Sequence, residues 1–121
     1  MSLNTVRRGR RFEALVERHL IQAGWRVLDR NVRFHRKEID LVVERDGLVA
    51  FVEVKGRSGP AFGHPLDAIT WRKRRAISLA ASVWIARSDF KALSCRFDAV
   101  SIRPKAGGGF EVEHVQGAWM D

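Results

Sequence analysis

The sequence contains one cysteine, Cys95. That excludes an internal disulfide and any zinc site built on a cysteine cluster, and a small core residue is the expected role. Long apolar runs are missing as well. The opening "MSLNTVRRGRRFEAL" has no apolar stretch of signal-peptide length, and nothing approaches a membrane span, so a cytoplasmic setting is expected. The glycine-rich "SGPAFG" lacks the GK[ST] ending of a phosphate-binding NTPase loop, so no nucleotide site is read there. No internal repeat or dividing linker occurs, and 121 residues suffice for one packed core, so residues 1–121 are read as one domain.

Acids are outnumbered. Asp and Glu total 14 against 22 Lys and Arg, for a net charge of +8, and seventeen of the bases are arginine. The planar guanidinium fork suits phosphate oxygens, so the bias toward arginine hints at phosphate recognition. The excess lies early: residues 1–37 hold Arg7, Arg8, Arg10, Arg11, Arg18, Arg26, Arg30, Arg33, Arg36 and Lys37 against Glu13, Glu17 and Asp29. One-sided basicity is the usual electrostatic footprint of nucleic-acid binding. A merely solubilising face is the plainer alternative. A membrane surface is disfavoured, since no helix pairs the basic face with a large exposed apolar one.

Phe12, Leu15, Val16, Leu20 and Ala23 recur at helical spacing, and Gly24 supplies a stop. "WRVLDRNVRF" alternates as a first strand, with Asn31 and the basic residues facing water. "EIDLVVERDGLVAFVEVK" reads as two Val-rich strands joined by a two-residue turn at Asp46-Gly47. "GRSGPAFGHP" is a loop. Helical spacing returns in "ITWRKRRAISLAASVWIAR" through Ile77, Ala80, Ala81 and Trp84, and "CRFDAVSIR" and "GFEVEHV" form two last strands. The order αβββαββ, with a helix between the third and fourth strands, predicts an α/β fold: a mixed sheet flanked by helices.

The hairpin raises a question. With Asp46 and Gly47 in the turn, Val42 faces Phe51, Asp40 faces Glu53 and Glu38 faces Lys55, all on one sheet face. Two opposed carboxylates with β-carbons about 5 Å apart repel by roughly 3 kcal/mol at an effective dielectric near 20. Protonating one would relieve this, and so would a cation between them. Oxygen-only ligands suit Mg²⁺ or Mn²⁺, and Lys55 would lie beside such an ion. A cross-strand ladder in which Lys55 neutralises Glu38 and Glu53 is the plainer reading, but it leaves Asp40 facing another acid.

Asp40, twelve intervening residues and then Glu53-Val54-Lys55 resemble the PD-(D/E)xK nuclease signature. The preceding helix with Glu13 resembles the archaeal Holliday-junction resolvase branch, in which a glutamate of the first helix joins the metal site. "EIDLVV", "FVEVKGRS", "FGHP" and "RFDAV", in this order, are similar to the uncharacterised YraN-like family, a predicted endonuclease-fold group, from about Gly9 to Ile102. Ile39 stands where the signature has proline, and Lys37 where similar sequences carry glycine. The resemblance implies a restriction-endonuclease-like fold and Mg²⁺- or Mn²⁺-dependent hydrolysis of nucleic acid, with DNA expected and branched DNA conceivable. Asp40, Glu53 and Glu13 would be metal ligands and Lys55 catalytic, while Glu38, facing Lys55 across the hairpin, is expected to orient it. A homodimer follows only by analogy with resolvases. Glu13 sits at the edge of the helix's apolar arc, able to lean over the sheet, whereas Glu17 lies toward solvent.

Arg72, Lys73, Arg74 and Arg75 open the second helix, at the end where the dipole disfavours cations unless an anion arrives. Lys73 is the preferred individual contact, since the resemblance also places a lysine in this helix. With Arg36, Lys37 and Arg57 these form the expected nucleic-acid-binding set. His64 could position a water, Trp71 could stack on a base, and Asp98 could support the site or bond nearby backbone. Two other readings stand beside the nuclease: a catalytically silent nucleic-acid-binding module of the same fold, and an interaction protein whose charge only aids solubility.

Overall fold

Phe12, Val16 and Leu20 fall four residues apart and stack along one side of a helix; all three are buried, at 8%, 0% and 0% exposure. The computed structural model describes residues 3–35, 37–56, 70–89 and 94–119. In chain order the elements are α1 (Leu3–Gln22), β1 (Arg26–Phe34), β2 (Lys37–Arg45), β3 (Leu48–Gly56), α2 (Trp71–Arg87), β4 (Ser94–Pro104) and β5 (Phe110–Trp119). Gly24 ends α1 at φ 95. There the Trp25 N–H reaches Leu20 O and the Gly24 N–H reaches Ile21 O, which closes a Schellman motif. Trp25 and Leu20 then pack in one cluster. Ala23, expected on the apolar arc, is exposed just beyond the helix.

The five strands lie in the order β1-β2-β3-β4-β5. Only β3 and β4 are parallel, the pair that α2 connects. This is the mixed α/β sheet with flanking helices, αβββαββ, that the sequence predicts. Asp46 and Gly47 both take positive φ, 53 and 82, as a two-residue turn with right-handed strand twist requires. Arg45 pairs with Leu48 and Val42 with Phe51, as expected. Both faces of the central strands are covered. Leu41, Val43, Ala50 and Val52 pack against α1, while Val42, Val49 and Phe51 pack with Ile77, Ala80 and Ala81 of α2. Such strands read as near-continuous apolar runs.

The N-cap of α2 is Thr70, whose Oγ1 accepts the Lys73 N–H at 3.2 Å. At the other end of β3, Gly56 lies under Phe12: a Cβ there would come within 1.9 Å of that ring. The missing side chain lets α1 close onto the end of the sheet, which brings its next residue, Glu13, to the rim. No helix among the described residues is long and apolar enough to cross a membrane. Cys95 is exposed at the start of β4 rather than packed in the core.

Candidate active site

The β2–β3 register runs from Arg45↔Leu48 to Leu41↔Val52. One step further, the Asp40 side chain acts in place of a main-chain acceptor, with Oδ2 taking the Val54 N–H at 2.7 Å. Asp40 and Glu53 are therefore neighbours where the strands stop pairing. Burial first, then the Glu53 charge, push the Asp40 carboxyl up to about 8, against a partial offset from the Val54 N–H. Burial also raises Glu53, opposed chiefly by Lys55. Lys55 Nζ lies 3.2 Å from Glu53 Oε1.

On the α1 side the same end of β2 gathers two more acids. One carboxylate oxygen from each of Glu13, Glu38 and Asp40 lies within 4.8 Å of the others. Glu38, assigned to orienting Lys55, belongs to the acidic cluster, where it is held by Asn31 at 2.8 Å and by Arg33 at 3.2 Å. Glu53, expected as a ligand beside Asp40, acts on that carboxyl through its charge and also pairs with Lys55.

Asn31 is the residue that strand alternation misses. Expected to face water, it is half-buried, and its Nδ2 donates at 2.8 Å to both Glu13 Oε1 and Glu38 Oε1. Its φ of 50 lies in the left-handed region, which Asn tolerates better than most side chains. An Asn inside a strand is the sequence signal that could have marked this kink. Glu17, read as a surface charge, pairs with Arg30 instead.

From α2, Lys73 approaches the same centre. Its ammonium is held below the usual lysine range, first by the neighbouring Lys55 charge and then by burial, while Glu53 opposes the shift. Lys37, at the start of β2, adds to that field. Arg72 and Arg75 are exposed and Arg74 is half-buried, its Nε buried. Arg36, Arg57 and His64 lie outside the described residues, as does the side chain of Trp71.

Asp98 does not join this centre. Fully buried, it accepts Arg96 Nε at 2.8 Å and Nη2 at 2.9 Å, contacts His114 Nε2 at 2.8 Å and takes the Gly117 N–H at 3.0 Å. Gly117, at φ 60, sits where the β4–β5 register slips, so the carboxylate fills an irregularity in the sheet. Burial alone would raise it, but His114, Arg96 and Gly117 together hold it below the usual carboxylate range.

A cluster of half-buried carboxylates, one of them driven to keep its proton, beside a lysine aimed from the next strand, is chemically suited to a hard divalent cation and an anionic substrate. A family model described as "Uncharacterised protein family UPF0102" matches residues 12–102. The chain is 36% identical over 113 residues to a UPF0102 protein of Chlorobaculum parvum, covering 89% of this chain and 88% of the relative. It is 39% identical over 100 residues to one of Symbiobacterium thermophilum, with 83% and 85% covered. A third, of Frankia alni, is 39% identical over 111 residues, with 92% of each covered. Glu13, Glu38, Asp40, Glu53, Lys55 and Lys73 all fall inside the matched span, and the chain belongs to the uncharacterised protein family UPF0102, the YraN-like group that its sequence resembles.

Proposed function

We propose that this protein binds nucleic acid and hydrolyses phosphodiesters as a Mg²⁺- or Mn²⁺-dependent DNA endonuclease. One observation carries the reading: carboxylate oxygens of Glu13, Glu38 and Asp40 converge within 4.8 Å beside the Glu53–Lys55 pair. The residues fit a hard divalent cation by donor chemistry, because every ligand is an oxygen and the Asp40 carboxyl lacks enough countercharge to ionise normally. Glu13, Glu38 and Asp40 would hold the ion, with Glu53 at its border. When bound, it supplies Lewis-acid polarisation of the phosphoryl oxygens and neutralises their charge.

The remaining work belongs to side chains. Lys55, steadied by Glu53, sets a positive charge where negative charge develops on the phosphoryl group and orients the attacking water. Lys73 brings a second ammonium to the same edge, and Arg72 and Arg75 extend the positive field along α2 toward the phosphates of a bound strand. Water adds at phosphorus and gives up a proton to solvent as the bond to the leaving oxygen breaks, and that oxygen takes a proton from solvent.

A cleavage panel of branched duplex, linear duplex, single-stranded DNA and RNA, with Mg²⁺ or Mn²⁺, tests this. Metal-dependent nicking is expected from the pure protein, with losses of at least about 100-fold in Asp40→Ala and Lys55→Ala. If the wild type binds these substrates yet leaves all of them intact, the binding-only module of the same fold is correct. If it fails to shift any of them even at low salt, the charge serves solubility alone.

A further inference from the structure

We infer that Asn31 is a positioning residue of the acidic centre: its side-chain amide, carried by β1, holds Glu13 of α1 and Glu38 of β2 at the separation a divalent cation requires. The inference rests on the reading of this centre as a divalent-cation site.

The argument starts from the backbone. Arg30 and Asn31 are consecutive, and strict alternation would send them to opposite faces of the sheet. Both nevertheless reach α1, Arg30 to Glu17 and Asn31 to Glu13. The left-handed φ of 50 at Asn31 accompanies this break, and Val32 returns to the α2 face. Two demands therefore meet at one position. The backbone conformation favours Gly, Asn or Asp, and the two carboxylates need a donor with two N–H bonds, which of these three only Asn supplies.

What the amide does follows from its partners. Glu13 and Glu38 come from different elements, repel one another and end in long rotatable side chains. A single Nδ2 bonded at 2.8 Å to one oxygen of each ties them together. Arg33 contacts the other oxygen of Glu38 at 3.2 Å and limits its rotation. In this way the acids are ordered ahead of the ion, so less ordering is required when it binds.

Calorimetric Mn²⁺ titration of wild type and Asn31→Gly tests the inference, with circular dichroism confirming that both are folded at the titration temperature. Glycine accommodates the left-handed backbone and removes the side-chain amide. A 10- to 100-fold weaker Mn²⁺ affinity is expected in the variant. A purely structural residue would leave that affinity unchanged in the folded protein. A second measurement needs no variant: in ¹⁵N spectra of the wild type, the Asn31 side-chain NH₂ signals should shift on Mg²⁺ addition with the same saturation as the centre's backbone amides. Mn²⁺ binding within twofold of wild type in folded Asn31→Gly, or an Asn31 amide signal indifferent to Mg²⁺ while neighbouring backbone signals move, overturns the inference and leaves the cation site standing. If the wild type itself takes up neither ion, the reading of the centre falls, and the role of Asn31 falls with it.

Discussion

At the scale of single residues, Asp40 sets function against stability. Its carboxyl is raised from 3.8 to about 8 by burial and by Glu53. A raised carboxyl binds its proton more tightly in the folded chain, so its contribution to stability is greatest below pH 3.8 and is lost as pH rises through about 8. Asn in its place can still accept the Val54 N–H without carrying charge. In metal-free protein, Asp40→Asn should therefore melt higher than wild type. The gap should widen from pH 4 to 8 and level off above, as thermal scans across pH would reveal. Asp98 has the opposite sign. Held below 3.8 by His114, Arg96 and Gly117, it stabilises the fold at neutral pH, and that contribution disappears as acid titrates it. Asp98→Ala strips the half-buried Arg96 and His114 of their shared acceptor, and urea unfolding should register a loss of about 1–3 kcal/mol.

At the scale of elements, the approach of α1 to β3 depends on Gly56. A methyl group there would meet the Phe12 ring, so Gly56→Ala should cost about 1–3 kcal/mol by overpacking and displace Glu13 from its neighbours. A fall in both denaturation midpoint and Mn²⁺ affinity is the expected result. The regular elements were readable from residue order alone. Asp46-Gly47 fixed the hairpin register, and apolar spacing located both helices. Unreadable were the places where alternation slips: Leu28 and Asn31 in β1, and the β4–β5 bulge around Asp98 and Gly117. Each slip turns a polar side chain to a face that a period of two does not assign to it. For that reason a period of two sends Asn31 to water, where the fold instead turns it toward Glu13 and Glu38. The arginines of β1 show the same limit: Arg26 and Arg30 reach Glu44 and Glu17, acids remote in sequence, and Arg33 reaches Glu38, so part of the basicity of the first third of the chain is engaged in surface ion pairs.

At the scale of the whole molecule, the net charge of +8 predicts salt-sensitive binding whose steepness counts phosphate contacts. Affinity for duplex DNA should fall linearly on logarithmic axes, and replacing Arg72, Lys73 or Arg75 by Ala should each flatten the slope by about one. Arg87, at the far end of α2, should leave it unchanged.

The order of the chain has a consequence for how such a centre can be taken apart. Glu13, Glu38, Asp40, Glu53 and Lys55 all come from α1 and the β1–β3 meander, whereas Lys73 comes from α2. A chain cut between β3 and α2 would leave every acid of the centre on one half-protein and Lys73 on the other. The acids and Lys73 would then meet only when the two fragments reassemble, so the complete constellation is a property of the whole chain rather than of either half.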